Sequence, residues 1–408
     1  MSTFAELGLQ PALVHAARQA GLDEPTPVQA AAIPAVLAGR DLLALAETGS
    51  GKTAAYALPL LQRLLQTDAG RHPRALVLVP TRELAVQIAD TLRELAAALP
   101  QRIRVALLFG GVSINPQLMG LRGGCDCVVA TPGRLLDVID HNGLVLDAVQ
   151  MLVLDEADRL MASGFADEWQ ATEALLPRPR QNLLVSATLP STLQSIADAL
   201  LQNPLRVDLA ALPTLLSQRA IQVDAAQRGP LLRHLLKKED WPRAMVFVAS
   251  RHGAEHVADK LLQNGFQAAA LHGELSQGAR RDLLAALKSN KLRVLVCTDL
   301  AARGLHVPGL AAVINFDLPR AAADYTHRIG RAGRMGQEGV AISFICADSP
   351  TNAESHFRLI EKRQGQRVAR EQIPGFEPQA VASEATASGG IKGKRPSKKD
   401  KLRAAGLR

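Results

Sequence analysis

The feature that most constrains this 408-residue chain is the octapeptide AETGSGKT at residues 46–53. It follows the apolar run 42–45 and precedes a helical pattern over 54–65, which together predict a strand, a tight glycine turn and a helix start. Backbone N–H groups at such a helix start point outward, and glycines let the main chain curl around a phosphate. The first letter of the motif is Ala where such loops usually carry Gly. The surrounding strand and helix nevertheless favour a nucleotide-phosphate site with Lys52 and Thr53 as side-chain ligands.

A second motif supplies the acidic groups that a nucleotide site needs. The short apolar run 151–154 predicts a buried parallel strand and leads into the sequence DEAD at 155–158. The first acid at such a strand end can hold Mg²⁺, and the second can orient an attacking water. The two motifs therefore predict hydrolysis of a nucleoside triphosphate, with Thr53 and Asp155 at the metal and Glu156 at the water.

Composition excludes several other classes of protein. Hydrophobic residues make up 47% of the chain and charged residues 21%, and no apolar run approaches the length of a membrane span. The N-terminus lacks a signal-peptide pattern, so we expect a cytoplasmic protein with no membrane partner. The four cysteines form no disulfide or zinc framework and are expected to be reduced packing residues. The sequence HGAEH at 252–256 matches a zinc-protease pattern, but no third ligand accompanies it.

The positive charge of the chain is concentrated at its C-terminus. The net charge is +8, and residues 391–408 hold eight basic side chains and one acidic side chain, a local net charge of +7. From residue 371 onward Pro, Ala, Ser, Gly and Lys dominate, so we expect a disordered basic tail over 366–408 that is a solubilising end or a binder of polyanions. Aromatic residues are only 3% of the chain, so base stacking is not expected to be the main mode of nucleic-acid binding.

Apolar strand-like runs alternate with helical runs through most of the chain, which predicts an α/β fold with a parallel sheet covered on both faces in each of two domains. The expected domains are 1–208, which carries the nucleotide-phosphate site, and 218–365, joined by a linker at 209–217. Polar motifs follow many of the strands, where ligands bind in open parallel sheets. The expected strands are 42–46, 75–79, 105–109, 127–130, 152–155, 183–185, 221–223, 245–248, 268–271, 294–297, 312–316 and 340–345.

With these motifs in order, the chain resembles a DEAD-box ATP-dependent RNA helicase of the compact bacterial type. The match runs from Phe4 to about Phe344 and includes AETGSGKT, PTRELAVQ, TPGRLLD, DEAD, SAT, TDLAARG and HRIGRAGR. The resemblance implies two tandem RecA-like domains. One departure is His306, because the family usually carries Asp at that position, near the ATP ribose.

The resemblance also implies a role for each matching residue. Phe4 would stack on adenine, Gln29 would read its edge, and Ser186 and Thr188 would couple the nucleotide site to domain closure. The implied catalytic residues are Lys52, Asp155, Glu156, Arg331 and Arg334. The implied ATP contacts are Phe4, Gln29, Thr48, Gly49, Ser50, Gly51, Lys52, Thr53, Gly304 and His306. The implied RNA contacts are Thr81, Arg82, Gly111, Thr131, Arg134, Arg251, Gly273, Gln277, Arg280 and Thr298.

The implied activity is RNA-stimulated ATP hydrolysis, with ATP and Mg²⁺ as cofactors, that separates short RNA duplexes or remodels RNA–protein complexes. RNA would be held mostly through its backbone, with little sequence specificity. We expect a monomer, with ribosomal precursors or the degradation machinery as candidate partners; ribosome assembly, mRNA decay and cold adaptation are all compatible roles. Two other functions stay open: an RNA clamp that ATP merely locks, and a DNA helicase with the same two-lobed core.

Overall fold

The computed structural model describes residues 2–46, 49–67, 70–161, 165–209, 216–302, 307, 310–333, 338–346, 348 and 353–379. The chain divides into two compact units. One unit comprises Met1–Leu216, Leu300–Leu310 and Gly330–Glu338. The other comprises Ser217–Asp299, Ala311–Ile329 and Gly339–Arg408.

A seven-stranded sheet, parallel in every pair, forms the centre of the first unit, with the strands in the order β3-β4-β2-β5-β6-β1-β7. Its strands are β1 Leu42–Ala46, β2 Ala75–Leu78, β3 Val105–Leu108, β4 Cys127–Ala130, β5 Met151–Asp155, β6 Gln181–Ser186 and β7 Leu205–Leu209. Its helices are α1 Pro11–Gln19, α2 Pro27–Leu37, α3 Lys52–Leu65, α4 Arg82–Ala97, α5 Asn115–Leu121, α6 Pro132–Asp140, α7 Ala157–Leu160, α8 Ala166–Ala174 and α9 Ser191–Leu200.

Helices cover both faces of this sheet. Alternate residues of each strand enter different cores: Val77 and Val153 pack with the helices α1 to α4, whereas Leu76 and Leu152 pack with the helices α6 to α9. Because both faces are buried, the strands read as continuous apolar runs, which is why they could be predicted from the sequence.

The second sheet repeats the plan of the first, in the order β10-β11-β9-β12-β13-β8-β14. Its strands are β8 Leu216–Val223, β9 Ala244–Phe247, β10 Ala268–Leu271, β11 Val294–Cys297, β12 Ala312–Asn315, β13 Gly339–Cys346 and β14 Arg370–Glu371. The helices of this part of the chain are α10 Arg228–Lys238, α11 Arg251–Gln263, α12 Gln277–Lys288, α13 Asp299–Ala302, α14 Ala322–Ile329 and α15 Ala353–Gln364, with a 3₁₀ turn at Ala225–Gln227.

The structure corrects the expectation of disorder from residue 366. Residues 366–379 are folded, because β14 pairs with β8 and Arg370 forms ion pairs with Glu354 at 2.9 Å and with Glu361 at 2.9 Å. The rest of the predicted basic tail lies outside the described residues. The segment between the two sheets is also shorter than the linker expected at 209–217, because β7 includes Leu209 and β8 begins at Leu216.

Other sequence expectations can be checked on the described residues. All four cysteines are buried and free of disulfides, as predicted. Within the described ranges, no group of three or more histidine, cysteine, aspartate or glutamate side chains is placed to hold a metal ion. No helix in the described part of the chain is long and apolar enough to cross a membrane.

Candidate active site and nucleic-acid interface

The predicted phosphate loop connects β1 to α3. Its two glycines, Gly49 and Gly51, have φ values of 93° and 92°, the left-handed region that favours glycine. Gly51 caps α3, which begins at Lys52, two residues before the expected start. The Lys52 ammonium donates to the carbonyl oxygen of Ala46 at the end of β1. The loop thus has the strand, turn and helix geometry that was predicted; Thr48 lies outside the described residues.

Gln29 lies against this loop. Its Oε1 accepts from the Thr26 N–H at 3.0 Å at the start of α2, and its Nε2 donates to the Gly51 carbonyl at 3.1 Å. A Cβ on Gly51 would lie 2.9 Å from the Thr26 hydroxyl and closer still to the Gln29 amide, so only glycine fits here. Phe4 is 2% exposed in the core around α1 to α4. The predicted adenine contacts of Gln29 and Phe4 stay predictions.

Asp155 ends β5 in a buried position, with both carboxylate oxygens engaged. Oδ1 accepts from the Glu156 N–H at 2.8 Å, and Oδ2 accepts from the Tyr56 hydroxyl at 2.9 Å. Burial raises the pKa of Asp155 to about 6, although the positive charge of Lys52 opposes this rise. The pKa of Tyr56 is also raised, by burial and by Asp155, and a hydrogen bond with Thr53 opposes that rise. Thr53, Tyr56 and Asp155 therefore form one cluster.

This cluster fits Mg²⁺. The Asp155 carboxylate and the Thr53 hydroxyl are hard oxygen donors, the type that Mg²⁺ prefers. A buried carboxylate is costly to ionise, as the raised pKa of Asp155 shows, and a nearby divalent cation would offset that cost.

Glu156 combines backbone strain with a buried acceptor. Its φ is 50°, in the left-handed region that a residue other than glycine occupies at a cost of roughly 1–3 kcal/mol and that is common at active sites. The residue is 7% exposed, and its Oε2 accepts no hydrogen bond from the described protein, although it lies 3.7 Å from Nη1 of Arg159. A buried carboxylate oxygen with spare acceptor capacity can take a proton from water.

Ser186 and Thr188 contact the turn that follows Asp155. The Ser186 hydroxyl accepts from the Asp158 N–H at 3.3 Å and donates to the Thr188 carbonyl at 2.8 Å. The Thr188 hydroxyl donates to the Asp158 carboxylate. These bonds join the end of β6 to the acidic turn after β5; the predicted coupling of Ser186 and Thr188 to domain closure stays a prediction.

The predicted RNA contacts of the first unit lie after β2, β3 and β4. The Arg82 guanidinium lies directly against Gly111, whose φ is 78°, so a Cβ there would overlap it. The Arg134 side chain is 8% exposed and donates to the Val112 carbonyl at 2.8 Å, while its Nε and Nη1 make no hydrogen bond in the described protein. Thr81 caps α4, and Thr131 precedes α6. This edge brings two guanidinium groups together with backbone N–H groups, which suits phosphate.

The predicted RNA contacts of the second unit also follow strands. Arg251 begins α11 after β9 and pairs with Glu274, and Gly273 is exposed after β10. Thr298 follows β11, and its N–H donates to the Leu271 carbonyl at 3.4 Å. Gln277 begins α12, which also carries Arg280. These residues therefore lie at the carboxyl edge of the sheet.

The arginines of the motif HRIGRAGR, residues 327–334, differ in their surroundings. Arg328 is 2% exposed, and its Nε and Nη2 each donate to the Asp299 carboxylate at 2.6 Å. Its Nη1 donates to Asn315 at 3.0 Å. Arg328 therefore holds the end of α14 to the start of α13. The predicted γ-phosphate arginine Arg331 is also buried, at 3% exposure.

Three other predicted nucleotide contacts, Arg334, Gly304 and His306, lie outside the described residues.

Comparison with known proteins decides the family. Residues 26–196 match the DEAD/DEAH box helicase family, and residues 227–336 match the helicase conserved C-terminal domain. The ATP-dependent RNA helicase DeaD of Mycobacterium tuberculosis is 40% identical over 92% of this chain and 66% of its own length. The ATP-dependent RNA helicase CshA of Listeria monocytogenes is 36% identical over 92% of this chain and 72% of its own length. This chain belongs to the DEAD/DEAH box helicase family.

The fold of this family member is similar to that of a solved structure. Dbp5 of S. cerevisiae, bound to RNA and ADP BeF3, is 29% identical with a TM-score of 0.81, covering 93% of this chain and 96% of that chain. This likeness confirms the predicted tandem RecA-like fold. The chain spans about two thirds of the length of the M. tuberculosis relative, 66%.

Sequence reasoning missed two features of the site. Tyr56 was assigned only to a helix, yet its hydroxyl is bound to Asp155 at 2.9 Å. The signal was a tyrosine in an otherwise apolar stretch of α3, because a buried tyrosine hydroxyl needs a partner. The pair of Asp299 and Arg328 was also missed, because nothing in a sequence shows which arginine of a motif faces inward.

Proposed function

We propose that this chain is an RNA-stimulated ATPase that uses ATP to separate short RNA duplexes or to remodel RNA–protein complexes. One observation carries the proposal most strongly: the buried, strained Glu156, with an Oε2 that accepts no hydrogen bond from the described residues, follows Asp155 at the end of β5. The names of the two relatives, both ATP-dependent RNA helicases, and the RNA and ADP BeF3 bound to Dbp5 support it.

Residues of the first unit would contact the phosphates, the metal ion and the ribose of the nucleotide. Gly49, Ser50, Gly51 and Thr48 would surround the phosphates through their backbone, and Lys52 would add a positive charge. Thr53 and Asp155 would hold Mg²⁺, which supplies charge stabilisation to the phosphates when bound. Glu156 would accept a proton from the attacking water. Arg331 and Arg334 would stabilise the charge on the γ-phosphate, and Gly304 and His306 would lie near the ribose.

RNA would bind through its phosphates and riboses. Arg82, Arg134 and Arg251 provide the charge, and their neighbours at the strand ends provide hydrogen-bond donors. If ATP and RNA each favour a closed arrangement of the two lobes, each strengthens the binding of the other. We further propose an ATP-binding domain at 1–208 and a helicase domain from 218, a monomeric state, a cytoplasmic location, and ribosomal precursors or the degradation machinery as partners.

Phosphate release and strand separation test this function together. We expect many turnovers of ATP with single-stranded RNA, little stimulation by DNA of the same sequence, and ATP-dependent separation of a short RNA duplex. A single turnover with tight RNA retention would instead indicate a clamp. Equal stimulation by DNA would indicate a helicase without preference for RNA.

A further inference from the structure

The two sheets have the same topology, strand for strand. The order β3-β4-β2-β5-β6-β1-β7 of the first sheet becomes the order of the second when seven is added to each strand number. In the first unit, the nucleotide site lies where β1 leads into α3, beside the end of β5. The equivalent place in the second unit is where β8 leads into α10, beside the end of β12.

Hydrogen bonds fix the equivalent residues. The Arg74 carbonyl accepts from the N–H groups of Gln150 and Met151 before β5, and the Arg243 carbonyl accepts in the same way from Ala311 and Ala312 before β12. Aligning Met151 with Ala312 in register places Phe316 at the position of Asp155 and Asp317 at the position of Glu156. The second unit therefore has an aromatic ring where the first has its metal-holding carboxylate.

A cavity of about 420 Å³ lies at this place, between α10 and α11. This volume is within the range of roughly 300–1,000 Å³ typical of small-molecule sites. Its apolar lining is contributed by Leu232, Val248, Val257, Leu261 and Phe316. A second cavity of about 400 Å³ shares Arg228, Phe316 and Asp317 with it. Arg228 lies over the Phe316 ring at 4.5 Å, so these residues form the wall between the two cavities.

The charge of the first cavity is positive. Its one acid, Asp317, is already satisfied, because Oδ1 accepts from Arg228 at 2.5 Å and Oδ2 accepts from the Ala249 N–H at 2.8 Å. Arg233 and Lys260 also line the cavity, from α10 and α11. Neither pairs with an acidic side chain among the described residues, and Lys260 donates only to Gln263 at 3.4 Å. Two cations at the rim of an apolar cavity suit a phosphate that carries a planar group.

We propose that this cavity binds a nucleotide unit, a base with its phosphate, supplied either as a free nucleotide or as one residue of an RNA strand. The base would lie on the apolar lining beside Phe316, and the phosphate would contact Arg233 and Lys260. Because Phe316 replaces the metal-holding acid, binding needs no Mg²⁺ and the cavity does not hydrolyse its ligand. The RNA source rests on the proposed function, since Gly253 of the lining is two residues from Arg251.

The test uses the full chain carrying Lys52→Ala, which weakens the first nucleotide site, in buffer with EDTA. Binding of ATP, AMP and single-stranded RNA of increasing length is measured by calorimetry or fluorescence anisotropy. The cavity variant adds Arg233→Glu and Lys260→Glu. The matched control adds Lys237→Glu and Lys288→Glu, two exposed lysines outside the cavity with the same change of charge.

We expect the cavity variant to lose at least about tenfold in affinity for its ligand relative to the control variant, since two charged contacts are reversed. A selective loss for ATP and AMP identifies a free nucleotide. A selective loss for longer RNA, with ATP and AMP unchanged, identifies the RNA strand. Equal affinities of the two variants for every probe overturn the proposal. Failure of the wild-type chain to bind single-stranded RNA with ATP and Mg²⁺ present would overturn the proposed function, whereas the ATP and AMP measurements on the Lys52→Ala chain still test the cavity.

Discussion

The side-chain amide of Gln29 joins the start of α2 to the phosphate loop. Its Nε2 donates to the Gly51 carbonyl at 3.1 Å, and its Oε1 accepts from the Thr26 N–H at 3.0 Å. These bonds use one of the two donors and one of the two acceptor sites of the amide. The predicted adenine contact would use the remaining donor and acceptor site of this fully buried side chain, so one residue would both shape the loop and read the base.

Replacing Gln29 separates these two roles. We expect Gln29→Ala to weaken the binding of ATP and GTP, because the loop loses its support, and to weaken ATP more, because the adenine contact is also lost. Dissociation constants for both nucleotides, compared with those of Gln19→Ala at an exposed site on α1, provide the measurement. Unchanged affinity for both nucleotides would show that Gln29 has neither role.

Gly111 permits the close approach of Arg82. A Cβ at this positive-φ glycine would overlap the guanidinium, so Gly111→Ala should displace Arg82 and strain the backbone. We expect RNA affinity to fall about tenfold, which corresponds to a loss of roughly 1.4 kcal/mol in binding free energy. ATPase activity without RNA should not change. Gly110→Ala is the matched control, because a Cβ there meets nothing within 4 Å. Equal RNA affinity of the two variants would contradict the assignment of Arg82 to RNA.

Asp155 is expected to reduce the stability of the nucleotide-free protein. Burial raises its pKa to about 6, above the value of an ordinary carboxyl, so the folded state holds the proton more tightly than the unfolded state. The resulting cost grows as pH rises from about 4 to about 6 and reaches roughly 3 kcal/mol at neutral pH, since each pKa unit corresponds to about 1.4 kcal/mol.

Asp155→Asn should therefore raise the Tm by several degrees at a pH of about 7.5 and leave it nearly unchanged at about 4, while it abolishes ATP hydrolysis. Thermal melts at both pH values, with Asp198→Asn as an exposed control, provide the measurement. A Tm that is equal to or lower than that of the wild type at the higher pH would contradict this account.

Arg370 holds the segment that follows α15. It contacts Glu354 and the buried Glu361, and its hydrogen bond lowers the pKa of Glu361. We expect Arg370→Ala to lower the free energy of unfolding by about 3 kcal/mol, because a buried carboxylate loses its partner. The loss should shrink as pH falls and Glu361 becomes protonated. Urea denaturation measures it, with the exposed Arg367→Ala as control; equal stability of the two variants would show that the ion pairs of Arg370 add nothing to the fold.

The sequence predicted the inner strands and one edge strand of each sheet, β3 and β10, but not the strands at the opposite edges. β7 and β14 were both missed. β7 contains two charged residues, Arg206 and Asp208, and is mostly exposed, so it lacks an apolar run; β14 has only two residues, neither of them apolar. Motif spacing singled out Lys52, Asp155 and Glu156 as candidates, because phosphate and metal chemistry restricts which residues can occupy such places. The partner of Arg328 could not be predicted, because its contact with Asp299 depends on packing between segments far apart in sequence.

ATP turnover by Glu156→Gln tests the central claim most directly. The substitution keeps the size of the side chain but removes the proton acceptor, so RNA-stimulated ATPase activity should fall by about a hundredfold or more. Binding of ATP and RNA should persist, because Asp155 and the phosphate loop are unchanged, and Glu94→Gln at an exposed site should behave as the wild type. ATPase activity of Glu156→Gln near the wild-type level, with RNA present, would contradict the assignment of Glu156 and with it the proposed mechanism of hydrolysis.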